Sequence, residues 1–250
     1  MNIGSASNYT LTYMEVTIIL LTALLPVIIL VYYIYHKDRY KPEPTRELIK
    51  AFLFGLLSVP LSLCISIPIG LIGVYPTDAT TIWGSISTAF LGAAIPEEIA
   101  KFFMLWLLLR KNLRFDEKMD GIVYAVCISL GFAALENVMY LFSNAESYIS
   151  VGITRAIFAV PGHFCFGILM GYYYSLAKFY PMTIQKNKAL IIIAPILAHG
   201  LYDTILFIIN VTPTLSGVLM ICFLIFCFKL WKYGSIRIHK SLLSDGINRR

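Results

Sequence analysis

Charge is what this chain has least of. Asp, Glu, Lys and Arg make up 14% of its 250 residues, while 58% are hydrophobic. A water-soluble domain needs roughly 25% charged residues to cover its surface, so that class is excluded. Several motifs are missing as well. There is no GxSxG, so a nucleophilic-serine elbow has no support, and no HExxH, so a zinc site on one helix has none either. The five cysteines (Cys64, Cys127, Cys165, Cys222 and Cys227) form no CxxC pair. Their odd number and their apolar surroundings point to small hydrophobes in spans, not to a disulfide framework. No internal repeat or low-complexity stretch is evident, and the first apolar run lacks a basic leader and a small-residue cleavage site. That run is expected to stay as a membrane anchor.

What the chain does have is long apolar runs. Helices of about 20 residues cross a hydrocarbon core of about 30 Å, and these runs are too long and too uniformly apolar for barrel strands. The expected class is an all-α, polytopic transmembrane bundle forming one domain over 1–250. About seven spans are expected, near 14–35, 49–72, 83–109, 121–142, 152–177, 189–210 and 213–231, with 232–250 as a cytoplasmic tail.

The net charge of +6 reports topology before it reports any nucleic acid, and no nucleic-acid partner is expected. Lys37, Arg39, Lys41, Arg46 and Lys50 fall between spans one and two, and Arg110, Lys111, Arg114 and Lys118 between three and four. Lys178, Lys186 and Lys188 lie between five and six, and six more, including Arg249 and Arg250, close the chain. Segments 1–13, 73–82, 143–150 and 211–212 carry no Lys or Arg. This alternation puts the N-terminus outside and the C-terminus in the cytoplasm. Asp116, Glu117 and Asp120 are most simply solvated charges, and Tyr140, Tyr172, Tyr173 and Tyr174 interface anchors.

Lys101 and Arg155 are the two basic residues left inside spans, and they have company. Span three carries Pro96-Glu97-Glu98-Ile99-Ala100-Lys101, span four Glu136-Asn137, span five Arg155 and His163, and span six His199 and Asp203. Charge at membrane depth costs about 3 kcal/mol or more per group, so each of these residues marks a candidate site. Lys101 sits three and four residues from the two glutamates, within pairing reach along one helix face. One carboxylate is left in excess. Pro96 suits a first helical position and suggests a kink beside the glutamates. Glu97, His163 and His199 fall at similar depths, about 17–21 Å from the outer ends at 1.5 Å per residue, with Glu136 and Asp203 near 10 Å. Glu136 with Arg155 reads as an interhelical salt bridge. Glutamate, histidines and a polar partner are the parts needed to activate water and hold an oxyanion. Zn²⁺ held by His163, His199, Glu97 and Glu98 is the metal alternative, although no metal is favoured.

These segments resemble the PrsW family of intramembrane proteases. Pro96–Lys101 is similar to its EExxK motif, and Phe115–Tyr124 with Gly131–Asn137 to its second motif region. Arg155-Ala156 with His163, and His199–Asp203, match the third and fourth. The resemblance implies cleavage of a single-pass anti-sigma factor on the extracytoplasmic side, in a stress response at a prokaryotic cell membrane. It also implies kinship with the type II CAAX prenyl endopeptidases and bacteriocin-immunity proteins. In that wider group a glutamate activates water, one histidine positions it, and another stabilises the oxyanion. Carried over by motif, Glu97 and Glu98 are the base and its support, His163 orients water, and His199 holds the oxyanion. Lys101, Glu136, Asn137, Arg155 and Asp203 are supporting residues. Asp203 stands where the CAAX branch has asparagine, and Glu136 where it has histidine. The alternatives are a proton- or ion-coupled transporter, which commonly shows inverted repeats, and a non-catalytic scaffold or immunity protein of the same fold.

Overall fold

The computed structural model describes residues 11–76 and 80–246, and all regular structure among them is helical. The α-helices are α1 (Tyr13–Lys37), α2 (Thr45–Leu71), α3 (Ile82–Ser87), α4 (Ile95–Leu109), α5 (Lys118–Ser143), α6 (Tyr148–Thr154), α7 (Val160–Phe179), α8 (Ile184–Val211) and α9 (Ser216–Ser244). Two π-helical turns, Thr88–Ala94 and Arg155–Ala159, join α3 to α4 and α6 to α7 without a break. Nine helices thus make seven rods. Six stretches are long and apolar enough to cross a membrane. The remaining rod, 82–109, has the length but carries Glu97, Glu98 and Lys101. The protein is a multi-pass, all-helical membrane protein. Parts of the expected outer segments (1–10 and 77–79) and the tail's Arg249 and Arg250 lie outside the described residues.

The helix ends follow capping chemistry. Thr12 and Glu15 exchange side-chain and backbone bonds at the start of α1, and Glu117 and Asp120 do the same at α5. Asp120 is therefore not a solvated charge. It is 1% exposed, and it accepts the backbone N–H groups of Asp116 and Glu117. Most of the tail is helical, because α9 runs on as one helix to Ser244. Its end is tied down where Asp245 accepts the backbone N–H groups of Lys118 and Met119 at 3.2 and 3.0 Å. Upstream, Arg237 bonds Tyr172 and Tyr233, and Tyr233 meets Tyr173 at 3.2 Å. Tyr172 and Tyr173, both partly buried, are held in this cluster.

The buried axis of the bundle is α5, packed against α7, α2 and α1. Close approach needs small residues. A Cβ on Gly55 of α2 would lie 2.1 Å from the Ile128 carbonyl oxygen of α5, and one on Gly131 would lie 2.2 Å from the Phe52 carbonyl oxygen of α2. The outside is apolar, with Leu21, Leu25 and Ile28 of α1, Leu57 of α2 and Phe228 of α9 exposed, while Glu98, Lys101, Asn137, His163 and His199 are buried. The ionisable groups face inward, where protein can compensate them.

Candidate active site

Local chain chemistry delivers each site residue. Proline has no N–H to donate and its ring crowds the carbonyl four residues back, so it disturbs an α-helix from within. Here a wider turn absorbs the disturbance immediately before Pro96 and Pro161. The N–H of Ile95 reaches back five residues to Phe90, and that of Val160 reaches five residues to Arg155. Glu97, Glu98 and His163 then follow on fresh helical turns at the starts of α4 and α7. The kink expected at Pro96 takes this form, and Pro161 repeats it.

All the residues singled out in the sequence meet. Lys101 Nζ lies 2.8 Å from Glu98 Oε1, 3.4 Å from Glu97 Oε2 and 3.1 Å from His163 Nδ1. His163 Nε2 lies 2.9 Å from Glu136 Oε2, which also receives Arg155 Nη2 at 2.6 Å. Arg155 Nε donates to Asn137 Oδ1 at 2.6 Å, and Asn137 donates to the Ala23 carbonyl of α1 at 3.1 Å. On the other side His199 Nδ1 meets Glu98 Oε1 at 2.9 Å, and its Nε2 lies 3.2 Å from Asp203 Oδ2 and 3.9 Å from Glu97 Oε2. One polar chain therefore runs from α1 through α5, α7 and α4 to α8.

Donor and acceptor capacity fixes the protons in this chain. An ammonium only donates. His163 Nδ1 must therefore accept from Lys101, which places the ring proton on Nε2, facing Glu136. Both of its nitrogens are engaged, so His163 has none left to take a proton from water. Both nitrogens of His199 face carboxyl oxygens, and toward an ionised carboxylate each can only donate.

The two glutamates part company here. Glu98 is fully buried, whereas the Glu97 side chain keeps 14% of its surface. A cavity of about 500 Å³ is bounded at one end by Glu97, Glu136, His163, His199 and Asp203, and it reaches Asn144 and Ser150 beside the α5–α6 connection. Glu98 and Lys101 do not line it. Its walls include Phe158, Phe166 and Phe207, and Tyr140 lines it while lying 4.1 Å beneath the Arg155 guanidinium. Tyr140 thus belongs to the site and is no mere anchor.

Other contributors carried no sequence signal of their own. Phe166 stacks on His199 with centroids 4.7 Å apart, and Phe132 holds the Lys101 ammonium 4.0 Å over its ring. Ser129 donates to the His163 carbonyl at 2.6 Å. Apolar helix positions look alike in sequence whether they face a site or a neighbour; only the spacing of Phe166 from His163, one turn, hinted at it.

As a metal site the cluster is already filled. Candidate ligand atoms of Glu97, Glu98 and His163 lie within 4.8 Å of one another, without His199. The Lys101 ammonium contacts the same three side chains. Zinc needs ligands at about 2.0–2.2 Å and a lone pair from each, and an ammonium has none to give. The residues as arranged do not fit a divalent ion.

Comparison with known proteins places this arrangement. The family model described as PrsW family intramembrane metalloprotease matches residues 43–230. Protease PrsW of Clostridioides difficile (strain 630) is 34% identical over 223 residues, covering 88% of this chain and 90% of that protein. Protease PrsW of Oceanobacillus iheyensis is 38% identical over 189 residues, 75% and 82% of the two chains. That of Bacillus subtilis (strain 168) is 33% identical over 219 residues, 86% and 92%. No solved structure matches significantly. With its motif residues drawn into one buried cluster beside a cavity, and with relatives matched along most of its length, the chain belongs to the PrsW family of intramembrane proteases.

Proposed function

We propose that this protease cuts a membrane-tethered regulatory protein by means of water activated by Glu97. The observation that carries the reading is the split between the glutamates. Glu97 borders the cavity, while Glu98 lies behind it, tied to Lys101 and His199. A general base must reach the proton it abstracts. Glu97 takes a proton from water, and the oxygen adds to the scissile carbonyl carbon. The carbonyl oxygen becomes an oxyanion and meets the Nε2–H of His199. The proton held by Glu97 passes to the departing amide nitrogen as the C–N bond breaks, giving a carboxylic acid and an amine.

The remaining residues hold this pair in place. Asp203 orients the His199 ring before substrate arrives, and Phe166 fixes its plane. His163, engaged by Lys101 and Glu136, acts by positioning. The family resemblance supports a single-pass anti-sigma factor as substrate, in a bacterial cell membrane, with the cavity mouth toward the outer leaflet. The test is purified protein with such a tethered substrate. Cleavage should vanish in a Glu97→Ala, Glu98→Ala variant, and full cleavage by that variant would end the proposal.

A further inference from the structure

We propose that the Lys101 ammonium is the resident cation of this site, standing among Glu97, Glu98 and His163 where a metal ion would otherwise sit. The geometry supports this directly. Three ligand-type side chains surround one point, and Nζ of Lys101 approaches all three at 2.8–3.4 Å. Its three N–H donors match three acceptors, and Phe132 covers the cation from another side at 4.0 Å. At 1% exposure the ammonium has no route to solvent without breaking these contacts. It performs two tasks that a bound metal would perform. It compensates the glutamates' charge, and it fixes the His163 proton on Nε2 so that the ring donates to Glu136. Lys101 is a positioning residue, since it does not border the cavity.

Removing the ammonium should turn the cluster into a metal site. Glu97, Glu98 and His163 then present three ligands from two helices, and Glu98 Oε2, buried with no partner among the described residues, becomes a further donor atom. Two carboxylates and an imidazole suit Zn²⁺. The inference deepens the glutamate-and-water reading and rests on it in one respect, that the native site needs no divalent ion. Zinc retention is measured without substrate, so its outcome is separate from that of the cleavage assay.

The experiment uses the full chain in detergent, exposed to zinc, desalted and measured by elemental mass spectrometry. Wild type and Lys101→Arg should retain only background zinc, Lys101→Met should retain a stoichiometric ion, and Lys101→Met with His163→Ala should lose it. Zinc retained by wild type and lost in Glu98→Gln would overturn the proposal, as would a helical, monodisperse Lys101→Met protein that stays zinc-free. If Lys101→Met does not fold, nitrogen-15 spectra of the wild-type imidazoles decide. The resonance that vanishes in His163→Ala should report a neutral ring protonated on Nε2 and unmoved by zinc. Protonation on Nδ1, or a zinc-induced shift, would overturn the proposal.

Discussion

Replacing Arg155 by methionine should unfold the bundle more readily than any surface change, and a second mutation should restore part of the loss. The Arg155 side chain is 13% exposed and that of Glu136 17%, and the two meet at 2.6 Å. The pair is part-buried and Glu136 keeps the His163 donor at 2.9 Å, so removing Arg155 takes away its strongest compensation at a cost of about 1–3 kcal/mol. Here Arg155→Met also strands Asn137 Oδ1, which receives Arg155 Nε at 2.6 Å. Glu136→Gln removes the charge left behind and can still accept from His163. The double variant should therefore be more stable than the sum of the singles by about 0.5–3 kcal/mol of coupling. Equilibrium unfolding of purified protein in mixed micelles, followed by helical circular dichroism, measures all four species. Additivity within about 0.5 kcal/mol would refute the reasoning that this pair is an interhelical strut.

Other outcomes follow from the same contacts. Gly55→Ala should lower the unfolding midpoint by the equivalent of about 1–3 kcal/mol, because the new Cβ meets α5 backbone at 2.1 Å. Gly217→Ala, helical and with nothing within 4 Å, serves as the control and should hold or slightly raise the midpoint. Burial pushes the Asp38 carboxyl, in the α1–α2 connection, up to about 7 from an ordinary 3.8. The folded state then binds the extra proton, so Asp38 makes stability fall as pH rises from about 4 to about 7. Asp38→Asn should flatten that slope in thermal melts, with a residue left by Glu43, whose carboxyl burial also raises; an unchanged slope would contradict this. Asp203→Asn keeps a group able to orient His199 at 3.2 Å and should hold turnover within about tenfold, or about 1.4 kcal/mol, whereas Asp203→Leu should not.

Much of the site could be read in the sequence because charge inside an apolar run is too costly to be incidental. Helical spacing put both glutamates within reach of Lys101, and His199 on one face with Asp203; the structure sets Lys101 2.8 Å from Glu98 and 3.4 Å from Glu97, and His199 3.2 Å from Asp203. Depth along each helix put Glu97, His163 and His199 at one level, but depth carries no information about the membrane plane. Three features were not legible. The π-helical turns before Pro96 and Pro161 have no residue signature beyond the prolines. The facing of Glu97 toward the cavity and Glu98 away from it depends on helix rotation, which adjacent identical residues cannot reveal. The extension of α9 to Ser244 depends on the distant cap that Asp245 gives α5. Polarity after residue 231 resembles a solvated tail until that contact is known.

The central claim is that Glu97 alone delivers the water, and a single isosteric change tests it most directly. Single-turnover cleavage of a reconstituted tethered substrate by Glu97→Gln should fall by about 10²–10⁴-fold, the contribution of a general base, with the unfolding midpoint near that of wild type. Wild-type turnover by a folded Glu97→Gln protein would contradict the account.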